Sequence, residues 1–251
     1  MHASSASFLV LLVAGVCTLA ATTPAVAAST SLAGKVIVLD PGHNGGNAGA
    51  PSQINRLVDI GQGKKKACNT TGTATSSGYS EASYNWDVAK RTRRVLRNRG
   101  ATVILTRQDN TGVGPCVDER ARIANRAHAD ATVSIHADGS DAGNRGFHVI
   151  EPTFIRGLTD DISSASHRLA IDLRDAFTAA TKQPFANYIA NDGLARRSDL
   201  GGLRLADVPA VFIESGNMRN ATDAAQFKNP RWRLMAARGI ANGIERFVRR
   251  G

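Results

Sequence analysis

The sequence predicts an α/β fold, a three-layer α/β/α sandwich around a mixed, mainly parallel sheet. Short apolar runs alternate with longer segments of helical spacing, the pattern of βα units whose sheet is covered by helices. No internal repeat or linker divides residues 29–251, and that length suits one domain with one sizeable core.

Lys35 to Asp40 reads as a buried strand ended by Pro41-Gly42. Residues 44–78 are rich in Gly, Ser, Thr and Asn and read as a long surface loop or flap. A helix starts at Ser80, with Glu81 in its first turn, and runs to Asn98 before Gly100 stops it. The strand Ala101–Thr106 follows. A second helix spans Val117–His128, with Asp118 and Glu119 at the end where the helix dipole favours acids. Ala131–Ile135 and Phe147–Glu151 are strands, and Asp160–Thr181 is helical. Ala210–Ile213 is the last clear strand. Pro230–Arg249 forms a closing helix with Leu234, Ile240, Ile244 and Phe247 toward the core.

The first charged residue is Lys35. Phe8 to Ala28 is apolar and small, and Ala25 and Ala27 flank Val26 as a signal peptidase requires. Residues 1–28 are therefore expected to be a cleaved signal peptide, although His2 is the only basic residue ahead of the apolar core. Val16 before Cys17 argues against lipidation. The expected location is exported: periplasmic, wall-associated or secreted. In that oxidising compartment Cys68 and Cys116 are expected to form a disulfide. Closing that loop would contribute about 3–4 kcal/mol, and the flap so tethered would border the cleft and limit access. The net charge of +10 favours polyanions. With aromatics at 5 % and none interleaved with basic residues, base stacking is unsupported, so acidic wall polymers are the expected partners and nucleic acid is not. A monomer is expected.

Three polar residues share one place in this scheme. His43, His136 and Glu214 each directly follow a short apolar strand, and the crevice of an open α/β sheet lies beyond the carboxyl ends of its strands. Glu81 can point into the same crevice. Two imidazoles and a carboxylate with one open position form a common catalytic zinc set. A second carboxylate can then take a proton from water. Each residue alone has a plainer explanation: a turn histidine, a first-turn helix acid, or a carboxylate bonded to the backbone at Ser215-Gly216-Asn217. His128, His148 and His167 read as structural or surface residues.

Leu39-Asp40-Pro41-Gly42-His43-Asn44-Gly45-Gly46 resembles the opening motif of the zinc-dependent N-acetylmuramoyl-L-alanine amidases, the type-3 family. Further blocks follow in the family's order. They are Glu81 with Asn85, Gly100 to Arg107, Asp118-Glu119-Arg120 with Ile123-Ala124-Asn125, Ser134-Ile135-His136-Ala137-Asp138, and Pro209 to Gly216. The resemblance covers nearly all of Lys35 to Val248 and is greatest to the compact single-domain cell-wall amidases of mycobacteria. Asn44 stands where the family often has Gly, and Ser215-Gly216-Asn217-Met218 replaces a stretch that usually contains Gly-Phe. The resemblance implies that His43, Glu81 and His136 are Zn2+ ligands and Glu214 is the catalytic carboxylate. The implied reaction cuts peptidoglycan between N-acetylmuramic acid and L-alanine of the stem peptide, for wall remodelling and turnover. The rivals are a zinc peptidase cutting within the stem and a non-catalytic wall-binding protein.

Overall fold

The computed structural model describes residues 1–5 and 30–250. The expected leader falls almost wholly on residues 6–29 and so lies outside the described residues. Among the described residues, no helix is long and apolar enough to cross a membrane.

In chain order the elements are β1 (Val36–Pro41), α1 (Pro51–Ile54), β2 (Leu57–Asp59), β3 (Lys65–Ala67), α2 (Glu81–Asn98) and β4 (Thr102–Leu105). Then come α3 (Val117–Arg126), β5 (Ala131–Asp138), β6 (His148–Pro152), α4 (Ser163–Thr181) and β7 (Leu194–Arg197). The chain closes with α5 (Gly201–Arg204), β8 (Ala210–Asn217), α6 (Ala221–Lys228) and α7 (Pro230–Val248). Six strands form one sheet in the order β4-β1-β5-β8-β6-β7. Its neighbours are parallel except β6, which runs antiparallel to β8, so the sheet is mixed and mainly parallel as expected.

The two sheet faces differ in character because strand side chains alternate. Ile37 and Leu39, Val133 and Ile135, Val211 and Ile213, and Val149 pack with α2, α4 and α7 into the main core. On α2 the residues Tyr84, Val88, Ala89, Thr92 and Leu96 are buried, a helical stripe started by Ser80, whose hydroxyl caps the Ser83 N–H. Helix α7 approaches α4 through Gly243, where an added Cβ would lie 2.6 Å from the Leu173 Cα. Its apolar anchor includes Trp232, 4 % exposed, which the sequence reading did not single out; Leu234 is only partly buried. The opposite face carries Val38, Phe212, Ala210 and Ile150 under the short helices α3 and α5.

Several elements depart from the sequence expectation. Residues 44–78 contain α1 and the antiparallel β2–β3 hairpin, too short to show a period. Edge strand β7 carries Arg196 and Arg197, whose charge hides a strand from an apolar count while suiting an unpaired sheet edge. Strands β5 and β8 continue past their apolar runs, because backbone pairing holds His136 opposite Glu214 and, after a bulge, Asp138 opposite Asn217. His136 and Glu214 thus sit within strands rather than after them.

Cys68 and Cys116 are joined by a disulfide that ties the end of the hairpin to the start of α3. Nearby, Arg120 of α3 pairs with Asp40 of the interior strand β1 at 2.6 Å. Its guanidinium also donates to the carbonyls of Pro41 at 2.9 Å, His43 at 2.8 Å and Gly114 at 3.1 Å. Burial pushes the Asp40 carboxyl up, but Arg120 and the hydroxyls of Ser134 and Thr106 outweigh it and hold it at about 2. Asp40→Asn, which leaves Arg120 buried without its counter-charge, is expected to lower unfolding free energy by about 3 kcal/mol in urea titration at neutral pH. Because the folded carboxyl is depressed below its unfolded value of about 4, the contribution is full above that pH and disappears as pH falls toward 2. The gap between wild type and variant should therefore close over that interval.

Candidate metal centre

Backbone geometry sets the place of the first candidate ligand. β1 ends at Pro41, and Gly42 passes so close to His136 that an added Cβ would lie 2.1 Å from the ring Cε1. His43 follows in the left-handed region with φ of 58°, a conformation that non-glycine residues hold only where the surroundings enforce it. The enforcement comes from Arg120 on its carbonyl and from Thr70, whose carbonyl lies 3.0 Å from His43 Nδ1. An Nδ1–H donated to that carbonyl leaves the Nε2 lone pair free for a ligand.

Glu81 occupies the first turn of α2, where exposed amides favour a carboxylate. Its Oε2 lies 3.1 Å from His43 Nε2, and its Oε1 lies 2.8 Å from His136 Nδ1. Oε2 also accepts the Thr73 N–H at 3.0 Å, and Oε1 the Ala137 N–H at 3.3 Å. Burial pushes Glu81 up, yet the two histidines hold it well below the usual carboxylate range. Burial likewise depresses His43, and Glu81 more than offsets that to raise it. The His136 ring stacks on Phe212 at 5.1 Å with 11° between planes.

The ligating atoms of His43, Glu81 and His136 all lie within 4.8 Å of one another. Two imidazole nitrogens and a carboxylate oxygen this close together fit a divalent metal, with Thr70 orienting His43 and the Thr73 and Ala137 amides orienting Glu81. Glu214 stands outside this group, one strand over and in register with His136. It is half-buried, with Oε2 sealed from solvent and unpartnered. Burial first, then the carboxylates of Glu81 and Asp138, raise its pKa well above the ordinary value, with Arg197 opposing. A cavity of about 200 Å³ opens beside the histidines, lined among others by Lys66, Val117, Leu200 and Phe212.

A sequence profile described as N-acetylmuramoyl-L-alanine amidase matches residues 37–246. The chain belongs to this amidase family. It is 40 % identical over 233 residues to the N-acetylmuramoyl-L-alanine amidase Rv3717 of Mycobacterium tuberculosis, covering 91 % of this chain and 94 % of that protein. Its fold is similar to the crystal structure of the amidase Ami1 from Mycobacterium smegmatis, with a TM-score of 0.81 and 42 % identity over 86 % of this chain and 98 % of that one. The apo Ami1 of Mycobacterium abscessus matches with the same score and identity, over 86 % and 99 %.

Of the residues singled out from the amidase motifs, His43, Glu81 and His136 converge, and Glu214 flanks them. The sequence reading missed several supports. Asn85, fully buried, donates to the Gly42 carbonyl at 3.2 Å and approaches Glu81 at 3.5 Å. Arg107 donates to the carbonyls of Pro41 at 2.8 Å and Ala82 at 2.9 Å. Both residues appear in the motif blocks, where their presence was the signal but their partners were not visible. His128 is exposed, and His167 pairs with Glu151 at 2.7 Å away from the centre. His148, read as a structural strand residue, is buried directly opposite Glu214.

Gly42→Ala should force the His136 ring out of place, lowering divalent-metal affinity by about 10–100-fold in a competitive chelator titration. The fold, read by circular dichroism, should persist. Unchanged affinity would mean that the close approach does not position the ring.

Proposed function

We propose that this amidase-family chain is a zinc-dependent N-acetylmuramoyl-L-alanine amidase, exported by residues 1–28, that releases stem peptides from peptidoglycan. The observation that carries the reading is Glu214 held in register with His136, beside the converged His43, Glu81 and His136. Family membership and the similarity to the mycobacterial N-acetylmuramoyl-L-alanine amidases support it.

His43, Glu81 and His136 would hold the zinc, and two nitrogens with one carboxylate suit that metal. When bound, zinc supplies Lewis acidity that makes a nearby water easier to deprotonate at neutral pH. Glu214 accepts that proton. A carboxylate whose surroundings favour its protonated form is suited both to take a proton and to return it, here to the departing L-alanine nitrogen. Gly42 and Phe212 hold the His136 ring from two sides, and Arg120 and Thr70 hold His43. The cavity beside them admits substrate, and the hairpin borders it through Lys66, whose ammonium lies 3.1 Å from Asp199.

The basic surface would hold the enzyme near anionic wall polymers. On α2, Lys90, Arg94 and Arg97 are exposed at i, i+4 and i+7, and on α7 Arg231 and Arg238 are exposed one heptad apart. Such attachment should weaken as salt rises.

Purified protein incubated with peptidoglycan should release peptides beginning with a free L-alanine amine, and a chelator should stop that release. Cleavage within the stem, read by mass spectrometry, would move the enzyme to the peptidase reading. Glu214→Ala should keep its zinc while turnover falls by about 10²–10⁴-fold, whereas His43→Ala and His136→Ala should lose metal and activity together. Loss of zinc from the Glu214 variant would remove Glu214 from the proton-transfer role. If the tethered hairpin limits access, Cys68→Ser will raise turnover of intact peptidoglycan; no change in rate would make the hairpin a bystander.

A further inference from the structure

Strand β6 is the one reversed strand beside β8, and its register puts His148 directly opposite Glu214. Glu214 is in turn directly opposite His136 on β5. Three polar side chains therefore stand in a row across three adjacent strands, on the sheet face that carries the cavity. Opposed residues of an antiparallel pair place their Cβ atoms about 4.5–5.5 Å apart on one face. His148 is thus an immediate neighbour of the proposed proton carrier, on the side away from the metal ligands.

The state of its ring follows from its surroundings. His148 is 1 % exposed, and its Nδ1 is sealed from solvent with no hydrogen-bond partner. The ring meets Tyr188 edge-on at 6.3 Å, and the Tyr188 hydroxyl is occupied by Asp138 at 3.0 Å. Burial pushes the imidazole down to about 4, with Arg197 acting in the same direction and Asp138 against it. The ring is then neutral in the physiological range and carries a single N–H. Sealed donors without an acceptor are rarer in proteins than sealed acceptors without a donor, so the proton belongs on Nε2 rather than on Nδ1.

We infer that His148 is a further residue of the amide-cleaving site, presenting an Nε2–H beside Glu214 as a hydrogen-bond donor to the substrate's amide oxygen. This rests on the amidase reading above. As the water oxygen bonds to the carbonyl carbon, negative charge gathers on that amide oxygen, and a fixed neutral donor in a dry site stabilises it. No proton passes through His148. The proton from water goes to Glu214 and then to the leaving nitrogen, and the C–N bond breaks with its electron pair on that nitrogen. A single buried histidine without its nitrogen satisfied is otherwise a net loss to folding, which gives its placement in this row a reason.

The test compares His148→Leu, His148→Gln and His148→Asn in the zinc-loaded protein on a soluble muropeptide. The glutamine amide nitrogen falls near the place of Nε2, the asparagine amide near Nδ1. His148→Leu should lose kcat by about 10²–10³-fold, with KM within about threefold and zinc content unchanged. His148→Gln should recover at least about tenfold over the leucine variant, and His148→Asn should not. A leucine variant within about threefold of wild type in kcat, or equal glutamine and asparagine variants, would overturn the inference. Should the leucine variant fail to fold, the glutamine and asparagine pair still decides. Wild type that releases no stem peptide would sink the amidase reading instead, and nitrogen NMR of the imidazole then judges His148 by itself. The neutral Nε2–H form at pH 7 is expected; an Nδ1–H form or an imidazolium overturns the assignment.

Discussion

The backbone at Pro41, Gly42 and His43 is held by two buried guanidinium groups, and the rest of the centre is arranged around that turn. Arg120 binds the carbonyls of Pro41 and His43 while pairing with Asp40, and Arg107 binds those of Pro41 and Ala82. Ala82 directly follows Glu81, so Arg107 fixes the start of α2, which carries Glu81, against the end of β1, which leads into His43. Arginine suits this task because its planar fork offers five donors in fixed directions and stays charged when desolvated. The clamp also holds His43 in a left-handed conformation that an isolated chain would seldom populate.

The sheet divides the work between its faces. The face under α2, α4 and α7 is apolar throughout the central strands and supplies the driving force for folding. The other face is covered by α3, α5 and the hairpin, elements of at most ten residues, which leave room for a cavity. Polar residues at alternate strand positions lie on that face: Asp40 on β1 and His136 on β5 line the cavity, with Ser134 on β5, Glu214 on β8 and His148 on β6 on the same side of the sheet. Of these, Asp40 and Ser134 satisfy each other with Arg120 and serve stability. His136 and Glu214 lie further along the strands, at the candidate metal centre.

Much of this was legible in the sequence. The apolar runs at 35–40, 131–135 and 210–213 marked the three central strands, because a strand buried on both faces reads as unbroken hydrophobicity. The helical stripes of α2, α4 and α7 were long enough for their period to show. The hairpin, β7 and α5 were not, since four residues or fewer carry no period and an edge strand tolerates arginine; α6, at eight residues, is little more than two turns. The ordered motif blocks already single out His43, Glu81, His136 and Glu214 as one set. They could not tell why Asn85, Arg107 and Arg120 belong to the same blocks, because a side chain's partner forty or eighty residues away leaves no local trace.

By itself, then, the chain determined the fold class, the central strands, the disulfide partners and the family, all of which follow from local apolar pattern, residue type and motif order. Only the tertiary structure decided what lies beside what. The reversal of β6 is the clearest case: a strand's direction in a sheet is set by the connections and packing of the whole domain, not by its own five residues. That reversal is what turns His148 from an ordinary strand histidine into the neighbour of Glu214. The near-contact of Gly42 with His136 is likewise a product of β1 pairing with β5, and it appears only when residues far apart in the chain share one sheet.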